Sequence, residues 1–112
     1  MGEIILKTQV SEQFELLKNT LKDKFGAKQV IVFGSYAYGE PDGDSDIDLC
    51  VITDLNNKRK IDIIREIRRE LINLISKPLD ILVYSEDEFE ERAGLKNTLE
   101  HKILRDGIKV YG

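Results

Sequence analysis

Gln29-Val30-Ile31-Val32-Phe33-Gly34-Ser35-Tyr36-Ala37-Tyr38-Gly39-Glu40-Pro41-Asp42-Gly43-Asp44-Ser45-Asp46-Ile47-Asp48-Leu49 is the stretch on which the fold turns. Gln29 to Phe33 is a nearly continuous apolar, β-branched run of strand length, as expected of a buried strand. Gly34 stops it, and Ser35 to Tyr38 reads as a short helical turn. Glu40-Pro41-Asp42-Gly43 is a turn with a mechanism: Pro presets φ and Gly closes it. Asp46 to Ile52 reads as a second strand. Alternation places Asp46, Asp48 and Cys50 on one of its faces and Ile47, Leu49 and Val51 on the other. The short connection makes the two strands antiparallel neighbours.

Outward from this pair, Ser11 to Phe25 reads as an amphipathic helix. Phe14, Leu17, Leu21 and Phe25 recur at helical spacing, Ser11 is an N-cap candidate and Gly26 ends the run. Lys58 to Ser76 reads as a long helix with an apolar stripe of Ile64, Ile67, Leu71, Leu74 and Ile75. Pro78 cannot extend it. Asp80 to Tyr84 is a third strand, brought parallel to the second by a right-handed crossover. Ser85 with Glu88 three residues on is a capping box that opens a further helix. A last helix is expected over Leu95 to Asp106. Gly107 ends it, and Ile108-Lys109-Val110 adds a short edge strand. The expected fold class is α/β: a small mixed sheet of three or four strands packed with helices, with residues 1–112 forming a single domain.

Composition narrows the function classes. A hydrophobic content of 41% is enough to pack a modest core, and 34% charged residues keep the surface wet. The net charge of −4 argues against direct nucleic-acid binding, which relies on a basic surface. Cys50 is the only cysteine, so neither an internal disulfide nor a multi-cysteine zinc site is available, and reducing cytoplasm is the expected compartment. No apolar run has the length of a membrane span and no signal peptide is visible. Met1-Gly2 lacks the Ser or Thr that myristoylation wants, because Leu6 stands there.

Glu40, Asp42, Asp44, Asp46 and Asp48 repel one another and make better sense around a cation. Asp46 and Asp48, at i and i+2 on a strand, point the same way roughly 7 Å apart and can share one metal ion or bridge two. Asp80 begins the next parallel strand near the start of the second, so a third carboxylate can join them. Aspartates also flank strands simply as turn formers, and that reading is stronger for Asp80 alone than for Asp46 and Asp48 behind Gly34-Ser35. Gly34 permits close backbone approach to a phosphate, and Ser35 adds a hydroxyl. Mg²⁺ prefers carboxylate oxygens plus nucleotide phosphates, so the pattern fits metal-dependent nucleotidyl transfer. Two rival motifs fail. Glu40-Pro41 replaces the Lys-Ser/Thr of a P-loop. Ile47 and Thr53 occupy the Gly and Glu positions of an EF-hand loop. His101 reads as a surface histidine and Cys50 as a small core residue. The cations Lys58, Arg59, Lys60, Arg65, Arg68 and Arg69 read as a solvated helix face, with docking of an acidic partner as the lesser alternative. Tyr36 and Tyr38 suit base stacking or packing equally.

Val32 to Gly39, Ser45-Asp46-Ile47-Asp48-Leu49 and Leu79-Asp80-Ile81-Leu82-Val83 together resemble the minimal nucleotidyltransferases of the DNA polymerase beta-like superfamily. The resemblance spans about Ser11 to Ile108. Tyr38 departs from it, standing where that family often has arginine. The resemblance implies that Gly34 and Ser35 hold the nucleotide phosphates and that Asp46 and Asp48 ligate two Mg²⁺ ions. It implies that Asp80 completes the site and helps activate the acceptor hydroxyl, and that ATP is the AMP donor. Larger relatives carry an acceptor-binding domain for which this chain has no residues. Small members pair with HEPN-domain proteins as antitoxin and toxin, and modify a tyrosine of the partner. The expectation is therefore a protein adenylyltransferase acting on a HEPN-domain toxin. The alternative is a non-catalytic module that masks a toxic partner, its nucleotide binding vestigial or regulatory.

Overall fold

The computed structural model describes residues 2–38, 46–75 and 77–112, with side chains from Glu12 onward apart from those of Ser35 and Tyr38. The elements run α1 (Gly2–Phe25), β1 (Gln29–Phe33), α2 (Ser35–Tyr38), β2 (Ile47–Ile52), α3 (Lys60–Leu71), β3 (Leu79–Tyr84), α4 (Glu86–Ala93), α5 (Leu99–Asp106) and β4 (Ile108–Tyr111). They build a mixed α/β fold around a four-stranded sheet of order β3-β2-β1-β4. β1 pairs antiparallel with both β2 and β4, and β2 pairs parallel with β3. The 40–43 turn and the carboxylates Glu40, Asp42 and Asp44 lie outside the described residues.

Strand alternation sends side chains to both faces of the sheet, and both faces are covered. On one face Val30, Val32, Ile47, Leu49, Val51, Ile81 and Val83 meet Leu17 and Leu21 of α1 and Ile63, Ile67 and Leu71 of α3. On the other, Ile31, Phe33, Cys50, Ile52 and Tyr84 meet Phe89 and Ala93 of α4 and Ile103 of α5. A sheet buried on both sides explains why its strands read as continuous apolar runs.

Element boundaries moved for identifiable reasons. α1 extends back to Gly2, past the expected start at Ser11. At its other end Gly26 (φ +64°) closes an αL cap, its amide donating to the Lys22 carbonyl at 3.2 Å, and the Ala27 amide donates to the Leu21 carbonyl at 3.1 Å. α3 ends at Leu71 rather than Ser76, itself outside the described residues. Its buried stripe is Ile63, Ile67 and Leu71, continued past its end by Ile75, while Ile64 is only partly buried and Leu74 is exposed. The last helix starts at Leu99, not Leu95. Thr98 is its N-cap, accepting from the His101 amide at 3.1 Å, and its own hydroxyl donates to carbonyls of the preceding turn. Ser85 caps α4 by accepting from the Glu88 amide. His101 is not a loose surface residue: its Nδ1 lies 2.8 Å from the Ala93 carbonyl and ties α5 to the end of α4.

One buried polar group holds the second core in register. Glu100 is only 5% exposed. It accepts from the Tyr84 hydroxyl at 2.6 Å and from Arg92 Nε at 2.8 Å. Burial pushes its carboxyl up, but the Tyr84 and Arg92 hydrogen bonds outweigh that and hold it below the usual glutamate range. The adjacent Cys50 thiol is pushed up to about 12 by burial and by the Glu100 charge, as suits a packing residue. Tyr84→Phe should cost about 1–3 kcal/mol in urea unfolding, because it strips a bond from a buried carboxylate. A carboxyl with a depressed folded pKa contributes stability above its unfolded value and loses it as the pH falls through the folded one. Acid unfolding of the parent should therefore begin in that window, and Glu100→Gln should flatten the dependence there.

Candidate active site

The site lies where, among the described residues, the helical cover of the second face ends. β2 carries Asp48, Cys50 and Ile52 toward that face. Cys50 and Ile52 sit under α4 and α5, while Asp48 is only partly buried and Asp46, just before the strand, is exposed. Asp80 on β3 is also exposed. The parallel register sets Asp80 directly opposite Asp48, not beside Asp46, and the antiparallel register sets Phe33 on the other side of Asp48. Neighbouring strands lie about 4.8 Å apart, so the two carboxylates project side by side. Asp48 is thus central, with Asp80 across one strand boundary and the end of β1 across the other.

Gly34 follows Phe33 with φ +76°, a left-handed conformation that glycine adopts without strain. A Cβ placed there would stand 1.9 Å from Asp48 Oδ2. The carboxylate therefore rests against bare backbone. The turn continues into α2, the Ala37 amide donating to the Gly34 carbonyl at 2.9 Å. Tyr36 packs edge-on to Phe14 of α1, with ring centroids 6.2 Å apart. Its role is packing: it pins the glycine turn to the first core. Phe14, read from sequence only as a stripe residue, is the anchor that periodicity could not assign.

Electrostatics mark the same place. The Asp48 carboxyl is raised above the usual aspartate range by burial first, then by the charges of Asp80 and Asp46. Among the described residues no three His, Cys, Asp or Glu side chains already converge tightly enough to grip a metal ion. The structure sets Asp80 opposite Asp48 and brings the charges of both Asp80 and Asp46 to bear on Asp48. An all-oxygen donor set under such repulsion suits a hard divalent cation, which would relieve it.

The cations on and just before α3 do not form a free basic patch among the described residues. Arg59 binds Asp62, Lys58 pairs with Glu66, and Lys60 pairs with Glu88 while lying over the Tyr84 ring. The groove on this helix alternates Lys58, Arg65 and Arg69 with Asp62 and Glu66. Arg68 reaches elsewhere, to the Leu79 carbonyl at 2.8 Å.

Residues 15–109, which take in the glycine turn and all three aspartates, match the family model of the nucleotidyltransferase domain. The chain belongs to this family. As a nucleotidyltransferase it is similar to a "Putative protein adenylyltransferase" of Methanocaldococcus jannaschii, 33% identical over 67% of this chain and 75% of that one. It is also similar to the protein adenylyltransferase MntA of Thermococcus cleftensis, 28% identical over 83% of this chain and 84% of that protein. A solved "Structure of putative minimal nucleotidyltransferase" superposes with a TM-score of 0.63 at 29% identity, covering 89% of this chain and 91% of its own. The fold is that of the minimal nucleotidyltransferases. Among the described residues of this nucleotidyltransferase, no helix is long and apolar enough to cross a membrane.

Proposed function

We propose that this nucleotidyltransferase moves AMP from ATP to a hydroxyl of a partner protein, with a tyrosine of a HEPN-domain toxin as acceptor and antitoxin action as the result. The observation that supports the reading is Asp80 set opposite Asp48 in the β2–β3 register, with Asp46 near enough to raise the Asp48 carboxyl and a positive-φ glycine against Asp48. Relatives named as protein adenylyltransferases support a protein acceptor. The sequence resemblance to the minimal branch supports the HEPN partner.

Asp46, Asp48 and Asp80 would hold Mg²⁺, shared between two ions. When bound, Mg²⁺ supplies charge neutralisation at the phosphates and stabilises the departing pyrophosphate. Gly34 and Ser35 would hold the phosphates of the nucleotide. The acceptor oxygen attacks the α-phosphorus. Its new bond forms as the bond to pyrophosphate breaks, and its proton passes to Asp80 and on to solvent. The acceptor arrives over the open part of the face, since α1 and α3 cover the other side of the sheet. A chain that only masked a partner would have no use for three carboxylates set against their own repulsion.

Mixed with its HEPN-domain partner, ATP and Mg²⁺, the protein should add AMP-sized increments to that partner in intact-mass spectra. Asp46→Asn should remove them while the protein stays folded. Neutralisation of the partner with no adduct, and unaffected by that substitution, would transfer the case to masking.

A further inference from the structure

We infer that Arg68 is a positioning residue for the carboxylate site: by clasping the Leu79 carbonyl it fixes the start of β3 and so holds Asp80 opposite Asp48. The inference rests on the proposed role of the three aspartates.

β3 is an outer strand, with β2 on one side only. The Ile47 amide donates to the Pro78 carbonyl at 2.9 Å, so that carbonyl faces β2. Carbonyls alternate along a strand, which turns the next one, Leu79, to the unpaired edge. Arg68 Nη1 meets it there at 2.8 Å. The bond is charge-assisted and spans from helix to strand. The root of Arg68 is well fixed, because Ile67 beside it and Leu71 one turn on are both fully buried. Leu79 is joined to Asp80 by one peptide unit. An anchor at that carbonyl therefore limits how far Asp80 can drift from Asp48 under the repulsion between them. The neighbouring cations Lys58 and Arg59, just before α3, and Lys60 at its start pair with carboxylates away from the site. Arg68 is different in kind: its partner is the main chain one residue before a site aspartate.

Mn²⁺ binding, read by electron paramagnetic resonance, tests this. The set is the wild-type protein, Arg68→Met, Arg68→Gln and the charge control Arg65→Met, with melting temperatures recorded alongside. Neither Met nor Gln can reach the Leu79 carbonyl from that position. Both should bind Mn²⁺ about tenfold more weakly, the order found when support behind a metal ligand is removed. Arg65→Met should bind as the wild type does. In the transfer assay the Mg²⁺ concentration for half-maximal rate should rise more than kcat falls, which a general loss of stability would not produce. Wild-type affinity in the folded Arg68 variants overturns the inference, as does an equal loss in Arg65→Met. A wild-type protein that binds no Mn²⁺ overturns the carboxylate reading itself, and this inference with it.

Discussion

Asp48→Asn should abolish AMP transfer and at the same time raise the melting temperature of the ligand-free protein. Asp48 is the only one of the three aspartates with neighbours on both sides, Asp80 on β3 and the end of β1. Its carboxyl is raised by burial and by its two acidic neighbours. An acid whose folded pKa lies above its unfolded value opposes folding at any pH where it is charged, so a neutral isostere gains stability at pH 7. The same substitution removes charge at the atoms proposed to hold Mg²⁺. Transfer should fall by at least on the order of 10² to 10³, the scale for loss of one electrostatic contact to developing charge. Opposite signs for activity and stability are the mark of a site held in a strained state for its chemistry. Calorimetry and a single-turnover assay read the two. A variant that melts below its parent, or transfers at the parental rate, sinks the assignment.

Gly34→Ala should be nearly as damaging, by a different route. The added Cβ would lie 1.9 Å from Asp48 Oδ2 and 2.9 Å from Asp48 Cγ, so the carboxylate or the turn must move. The φ of +76° adds backbone strain for any residue with a Cβ. Together these should cost about 1–3 kcal/mol of stability and remove ATP binding, since the turn can no longer approach a phosphate closely. A double substitution separates the causes. Asp48→Ser shortens the opposing side chain. In the Gly34→Ala background it should restore part of the stability and none of the transfer. If Gly34→Ala binds ATP as tightly as its parent, the turn is not the phosphate cradle.

The pieces legible in sequence were those with short-range causes. β1 was bounded correctly because its apolar run starts after Gly26 and stops at Gly34. The α4 cap at Ser85 and the terminal edge strand were equally local. The α3 stripe was misread by one residue because Ile63 and Ile64 are adjacent. Only packing against the sheet decides that Ile63 takes the buried row with Ile67, Leu71 and Ile75. Thr98 caps the last helix with no Glu or Gln three residues on, so no capping box marks that start in the sequence. The i, i+2 spacing of Asp46 and Asp48 was legible in sequence, but the placement of Asp80 against them was not. The pairing of β3 with β2 is long-range, and it sets Asp80 opposite Asp48 rather than beside Asp46. That β1 lies between β2 and β4 is likewise a matter of long-range pairing.

The register of Asp80 also bears on how the chain avoids misfolding. A slip of one residue between β2 and β3 would exchange the faces of every β3 side chain. Ile81 and Val83 would leave the core under α3, and Asp80 would be driven into it beside Ile67 and Leu71. Burying an unpaired carboxylate there costs on the order of several kcal/mol. A parallel strand pair of this kind must find its partner across a long intervening segment and has few local cues to alignment. The aspartate proposed to serve chemistry on this face thus acts during folding as a proofreading mark, penalising the nearest wrong alignment of the strand that carries it.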